Sequence, residues 1–325
     1  MKQTVNPLLL AVLCFSAVAF NTQAAGLQSK QVPAGAKWFL HLDLEAFKAT
    51  QMGKFALEQL TAFGPQIDAV SALMQSDLRK DLSGITVFGA NDVDEPEMAV
   101  VLIHGQFKPA HVLTLLKANP TFRSEKVGDR ELLTWTDKKN SESKTQFGSI
   151  VNENLLLVGT QQKFVVQALK VLDGQSPALD PKKLADLQIE KGAYLTGGLF
   201  SLAALPVPPE AKVLENVKSL ALALGENGTK LEANLRLNAS NEEAATQVQQ
   251  LLQGLIALGQ VTLDNIDDPK AKQSAELILK NIQANRTKEW VNISIALPID
   301  MLIQQSRAAM DKLGLPKPKP APSKE

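Results

Sequence analysis

Cysteine is almost absent from this 325-residue chain, and its one copy, Cys14, sits within the first two dozen positions. A chain that loses that segment can form neither a disulfide nor a thiolate metal site, so its stability has to come from packing. An excess of either charge is absent too. Lys and Arg together number 34, as do Asp and Glu, and no basic stripe with interleaved aromatics occurs. Nucleic acid is therefore excluded as a partner, because binding phosphate needs Lys and Arg gathered on one face. Beyond the N-terminal segment no apolar run is long enough to cross a bilayer. The Gly-x-Ser-x-Gly elbow, the phosphate loop, His-Glu-x-x-His and the dinucleotide glycine fingerprint are all missing.

What is present begins at the N-terminus. Lys2 precedes an apolar run over residues 7–20, and Asn21-Thr22-Gln23-Ala24-Ala25 follows with small residues. A positive start, a short apolar core and a small-residue exit predict a secretory signal peptide over residues 1–25, since the run is too brief for a stable span. The bulky Ala11-Val12-Leu13 before Cys14 does not suit a lipoprotein cleavage site. The expected location is the periplasm or the exterior. At 45% hydrophobic and 21% charged residues, the remainder reads as a folded globule large enough for two domains or two halves.

Along the chain, Lys37-Trp38-Phe39-Leu40-His41-Leu42-Asp43 alternates as a half-buried strand, and Asp43 suits the N-cap of a helix that continues to Leu60. A second helix is expected over residues 67–78. Strands over 85–89 and 97–103 flank the loop Asn91-Asp92-Val93-Asp94-Glu95-Pro96, and Pro109 opens a helix to Ala118. Short strands at 121–126, 131–135, 146–151 and 155–158 lead to a helix over 161–172 that stops at Asp173-Gly174. Residues 174–181 read as a linker.

The same order of elements then recurs. Residues 192–200 correspond to the first strand and 217–224 to the strand before the acidic loop. The turn Glu226-Asn227-Gly228-Thr229 leads into an alternating strand and a helix to Leu258, and residues 290–297 with the helix over 298–313 correspond to 155–172. The expected fold class is α+β in two similar halves, each an antiparallel sheet with helices packed on one face. The expected division is 26–175 and 176–314, with a disordered Pro/Lys tail over 315–325.

The stretch Val32-Pro33-Ala34-Gly35-Ala36-Lys37-Trp38-Phe39-Leu40-His41-Leu42-Asp43, followed by Met52-Gly53-Lys54, resembles a loose group of uncharacterised exported bacterial proteins. The pattern is a Pro-Ala turn, an aromatic strand ending in His-x-Asp and a helix with a Gly-Lys step, and it extends to Lys117-Ala118-Asn119-Pro120 and Val171-Leu172-Asp173-Gly174. The resemblance implies an exported α+β protein and brings no activity with it.

Few residues invite a chemical reading. His41 and Asp43 share one strand face, and His104 ends another strand, so the three could gather for zinc or proton transfer. A third or fourth placed ligand is missing from the pattern, and Asp43 has work as a cap. His111 lies at the exposed side of a helix start. Asp92, Asp94, Glu95 and Glu97 crowd a loop without the spacing of a calcium site. Ser141-Glu142-Ser143-Lys144 has the bare Ser-x-x-Lys spacing but falls in a polar loop without its companion motifs. The glycan acceptor patterns at Asn227, Asn238, Asn285 and Asn292 fall at turns and strands and are coincidental. No catalytic, cofactor or metal residue is assigned. The expectation is an exported, non-enzymatic binding or scaffold protein whose partner is a protein or envelope component. The alternative is a carrier of a lipid or other apolar ligand, raised by the apolar helix segment over residues 251–258.

Overall fold

The structure is a computed structural model that describes residues 26–89, 99–139, 142–187, 192–201 and 209–315. The leader over 1–25, the acidic loop and most of the Pro/Lys tail lie outside the described residues. The fold is α+β. Strand β1 (Trp38–Asp43) ends where Asp43 caps α1 (Leu44–Ala49), its Oδ1 accepting the Ala46 N–H at 2.9 Å. The helix expected to reach Leu60 is broken once. Thr50 leaves helical geometry and its hydroxyl accepts the Gly53 N–H, starting α2 (Gln51–Leu60). Helix α3 (Gly64–Met74) lies a few residues earlier than expected, with Pro65 in its first turn and Gln75 closing it at a left-handed φ of 49°. The short α4 (Leu78–Asp81) follows.

Strands β2 (Leu82–Gly89) and β3 (Ala99–Gly105) pair as expected, and Pro109 opens α5 (Pro109–Lys117). Then come β4 (Arg123–Val127), β5 (Arg130–Lys139), β6 (Glu142–Asn152) and β7 (Leu155–Gly159). β5 and β6 run well into the segment read as a polar loop, pairing as far as Lys139 with Glu142. Helix α6 (Gln162–Leu172) ends at Gly174, φ 70°. The stretch read as a linker is packed: Ala178 bridges Pro33, the Leu179 N–H donates to the Val32 carbonyl at 2.7 Å, and Leu179 is buried. Helix α7 (Pro181–Asp186) and β8 (Leu195–Leu199) follow, then β9 (Val217–Asn227), β10 (Lys230–Ala239) and α8 (Glu242–Thr262). The chain closes with α9 (Pro269–Asn281), β11 (Ile282–Thr287), β12 (Trp290–Pro298) and α10 (Ile299–Lys312). Among the described residues no helix is long and apolar enough to cross a membrane.

The twelve strands among the described residues form one antiparallel sheet in the order β11-β12-β10-β9-β8-β1-β2-β3-β7-β6-β5-β4. This corrects the expectation of a separate sheet in each half. The edges of β1 and β8 pair from Trp38 opposite Leu199 to Leu42 opposite Leu195, so the sheet runs through without a break. Outward from that junction one arm reads β1-β2-β3-β7-β6-β5-β4 and the other β8-β9-β10-β12-β11.

Helices cover both faces rather than one, because the strands near the junction are apolar on both sides. On the face that carries Phe39 and His41, residues Phe39, Phe88, Val100, Leu102 and Leu157 pack with Val165, Ala168 and Leu169 of α6. On the opposite face, Leu42 packs with Leu44 and Phe47 of α1 and with Tyr194. Further along that second face, Leu237 and Val291 pack under Ala244, Ala245 and Val248 of α8. Removing a buried leucine such as Leu157 from such a core costs about 2–5 kcal/mol.

The junction is tight on the Phe39 face. A Cβ on Gly198 would lie 2.4 Å from Phe39 Cε1 and 2.6 Å from Leu187 Cδ1. Gly198→Ala is therefore expected to lower stability by about 1–3 kcal/mol through overpacking. Urea unfolding of variant and parent measures it, and equal midpoints would mean that the aromatic ring and Leu187 move aside freely.

Candidate functional site: a buried histidine pair

The register of β1, β2 and β3 brings His41 opposite Thr86, and Thr86 lies diagonal to His104 on the same face. The Thr86 hydroxyl is 2.9 Å from His41 Nδ1 and 3.3 Å from His104 Nε2. All three side chains are buried. The imidazole centroids are 6.4 Å apart with the rings 79° from parallel. A hydroxyl carries one proton, so Thr86 can donate to one ring while accepting from the other. Burial, and then the charge that His41 would carry, push the pKa of His104 down to about 4. His104 is therefore neutral at physiological pH.

Asp43 does not join the imidazoles. Its carboxylate is spent on the start of α1, and its own N–H donates to the Tyr194 carbonyl at 2.7 Å. Of the three residues that could have gathered, the structure thus joins His41 and His104 through a threonine and turns Asp43 to the helix. Among the described residues no three His, Cys, Asp or Glu side chains come together as a metal site. The Nε2 of His111 donates to the Leu73 carbonyl at 2.6 Å and ties α5 to the end of α3. Asp92, Asp94, Glu95, Glu97 and Ser141 lie outside the described residues, and Lys144 is exposed on β6.

Three polar side chains with structural weight were not singled out in the sequence. Thr86, the link between the rings, looks like any β-branched strand residue. Lys48 is buried, and its Nζ donates to Glu45 Oε1 and to the Leu82 carbonyl, both at 2.7 Å. The Glu45 and Lys48 spacing was its one sequence signal. Glu226 reaches from the end of β9 to the start of α2, where its two carboxylate oxygens accept the Gln51 and Met52 N–H groups at 2.7 Å each. Burial, with the Glu226 charge nearby, raises the pKa of the Tyr194 phenol above its ordinary value. Tyr194 also meets the Phe47 ring edge-on, 5.0 Å between centroids.

A cavity of roughly 190 Å³ lies on the Phe39 face, lined by Pro33, Ala36, Phe88, Val100, Phe164 and Gln167. That is room for one ring or a short alkyl group, and too little for a two-chain lipid. The apolar helix segment behind the carrier reading divides in two. Val248 is buried and Leu252 packs against the core, whereas Leu255 and Leu258 are 54% and 59% exposed.

No model of a known protein family matches the chain, and no curated protein matches it. Among solved structures, crystal forms III, I and IV of TP0453 align with TM-scores of 0.46, 0.42 and 0.44. Their sequence identities to this chain are 11%, 11% and 9%. The alignments cover 88%, 88% and 86% of this chain and 100%, 99% and 95% of the respective TP0453 chains. A likeness at these scores carries no argument about what this chain does.

The depressed pKa of His104 sets a pH dependence. The unfolded imidazole takes up a proton near pH 6.5 and the folded one only near pH 4, so acid favours the unfolded chain. The stability linked to this group is fully present above about pH 6.5 and falls away down to about pH 4, by on the order of 3 kcal/mol. Denaturant titrations of parent and His104→Gln across that window should show the parent with the steeper decline. Parallel profiles would mean that protonation of His104 is not coupled to unfolding.

Proposed function

We propose that this is an exported, non-enzymatic binding or scaffold protein of the bacterial envelope or exterior, with a protein or envelope component as its partner. The observation that carries this reading is the employment of the buried polar side chains. Asp43 caps a helix, Lys48 is held by a carboxylate and a carbonyl, and His41 and His104 share a threonine inside the sheet. An enzyme needs a nucleophile, base or electrophile aimed at a space where substrate can sit. The cavity beside Phe164 offers an apolar lining in which Gln167 brings the one polar side chain.

The like order of the inner five strands of each arm, with β5 and β4 added to the first, also supports reading the chain as a duplicated α+β unit. A duplicated unit joined edge to edge gives a broad rigid sheet, suited to presenting surface rather than closing over a small substrate.

Native mass spectrometry of the mature protein, purified from its own periplasm or culture fluid, tests the proposal together with a hydrolase substrate panel. The expected result is the bare polypeptide mass, with no metal and no turnover, unchanged in His41→Ala and His104→Ala. A copurifying lipid would replace the scaffold reading with the carrier. A reproducible activity abolished by one substitution would overturn the non-enzymatic claim.

A further inference from the structure

The cavity on the Phe39 face is built by three separate parts of the chain. Phe88 of β2 and Val100 of β3 contribute buried side chains, the turn before β1 brings Pro33 and Ala36, and α6 brings Phe164 and Gln167. The lining is almost wholly apolar. Water is a poor occupant of such a space, because a trapped water needs two to four polar partners and the lining side chains offer one amide. An apolar body fits better. A dry cavity of about 150 Å³ takes up a molecule the size of benzene, and this one holds roughly 190 Å³. Two of its lining side chains, Phe88 and Phe164, are aromatic and suit contact with a further ring.

Helix α6 adds a charge beside this apolar space. Lys163 and Gln167 are both exposed and stand four residues apart, which puts them on one side of the helix. The Lys163 Nζ lies 4.6 Å from the centroid of the Phe164 ring, and that ring lines the cavity. A small molecule seated against Phe164 with a polar end turned toward α6 therefore meets an ammonium and an amide, both able to donate N–H. A carboxylate accepts from both and gains from the charge, whereas a cationic end is repelled by Lys163.

We propose that this cavity is a binding site for a small aromatic carboxylate, its single ring held among Phe88, Val100 and Phe164 and its anionic end taken by Lys163 Nζ and the Gln167 amide. The size of the space sets the limit of one ring, and the side chains of α6 select the sign of the charge. A ligand of so few atoms binds with a dissociation constant of roughly 0.1–1 mM. It is lost on purification, so the bare mass expected of the mature protein is compatible with the site. The inference stands apart from the envelope role and survives its failure.

The test is a ¹H–¹⁵N chemical-shift titration of the mature protein with benzoate at neutral pH, over about 0.05–10 mM. Toluene serves as a ring without charge and acetate as a charge without a ring. Benzoate should shift the amide signals of Ala36, Phe164 and Gln167 saturably, toluene should do so more weakly, and acetate should leave them in place. Lys163→Gln and Gln167→Glu, both at exposed positions, should each weaken benzoate about three- to fivefold and leave toluene unchanged. Ala36→Leu fills the space and should remove the binding of both rings; if that variant does not fold, the two charge variants still decide. The absence of saturable benzoate shifts at these amides would overturn the proposal, as would a folded Ala36→Leu that binds like the parent. A benzoate affinity unmoved by both charge variants would mark a packing gap open to any ring, and would overturn it as well.

Discussion

The pairing of β1 with β8 is the constraint on which the rest of this molecule depends. Five residue pairs, from Trp38 opposite Leu199 to Leu42 opposite Leu195, turn what would be two edges into the interior of one sheet. Burying both strands there makes both faces of the junction apolar, and this draws helices to each side: α6 over Phe39 and α1 over Leu42. Gly198 fits the same constraint, since Phe39 and Leu187 occupy the space that its side chain would need. Among the described residues, edge strands remain only at the far ends. At one of them β4 presents Arg123, Glu125 and Lys126 to solvent, which discourages pairing with another chain.

Local chemistry in the sequence was enough to find most elements. Asp43 announced the end of β1 and the start of α1, and Asn227-Gly228 announced the turn between β9 and β10, where Gly228 takes a φ of 60°. The α+β class followed from the alternation of such signals. Non-local facts were not legible. Nothing in Trp38 to Leu42 says that its second neighbour is a strand some 150 residues on. The segment over 174–181 looks like a linker because its residues favour turns, yet Leu179 is held against Val32. Helix α9 and strand β11 went unread because the segment between Leu258 and Trp290 mixes polar and apolar residues without a clean period.

The candidate site was half legible for the same reason. Alternation placed His41 and Asp43 on one face, but which strand lies beside β1, and in which register, decides whether His104 can come near. The register set Thr86 between the imidazoles, and the need to start α1 took Asp43 away from them. Local hydrogen bonding prevailed over the constellation that spacing alone suggested. Buried polar groups are costly unless partnered, so a cluster of this kind specifies one arrangement of three strands even without chemistry to perform.

The bond from Glu226 to the N-terminus of α2 joins groups about 175 positions apart in the chain. It therefore bears on the order in which the protein assembles. As the polypeptide emerges, the first arm can gather its strands while the outer edge of β1 still waits for β8, and α2 still lacks the carboxylate that completes its first turn. Contacts of such separation close late, after a large entropic loss. Until then β1 is an open template for any other nascent copy. The vulnerable period of this protein is the interval between making residue 43 and making residue 226.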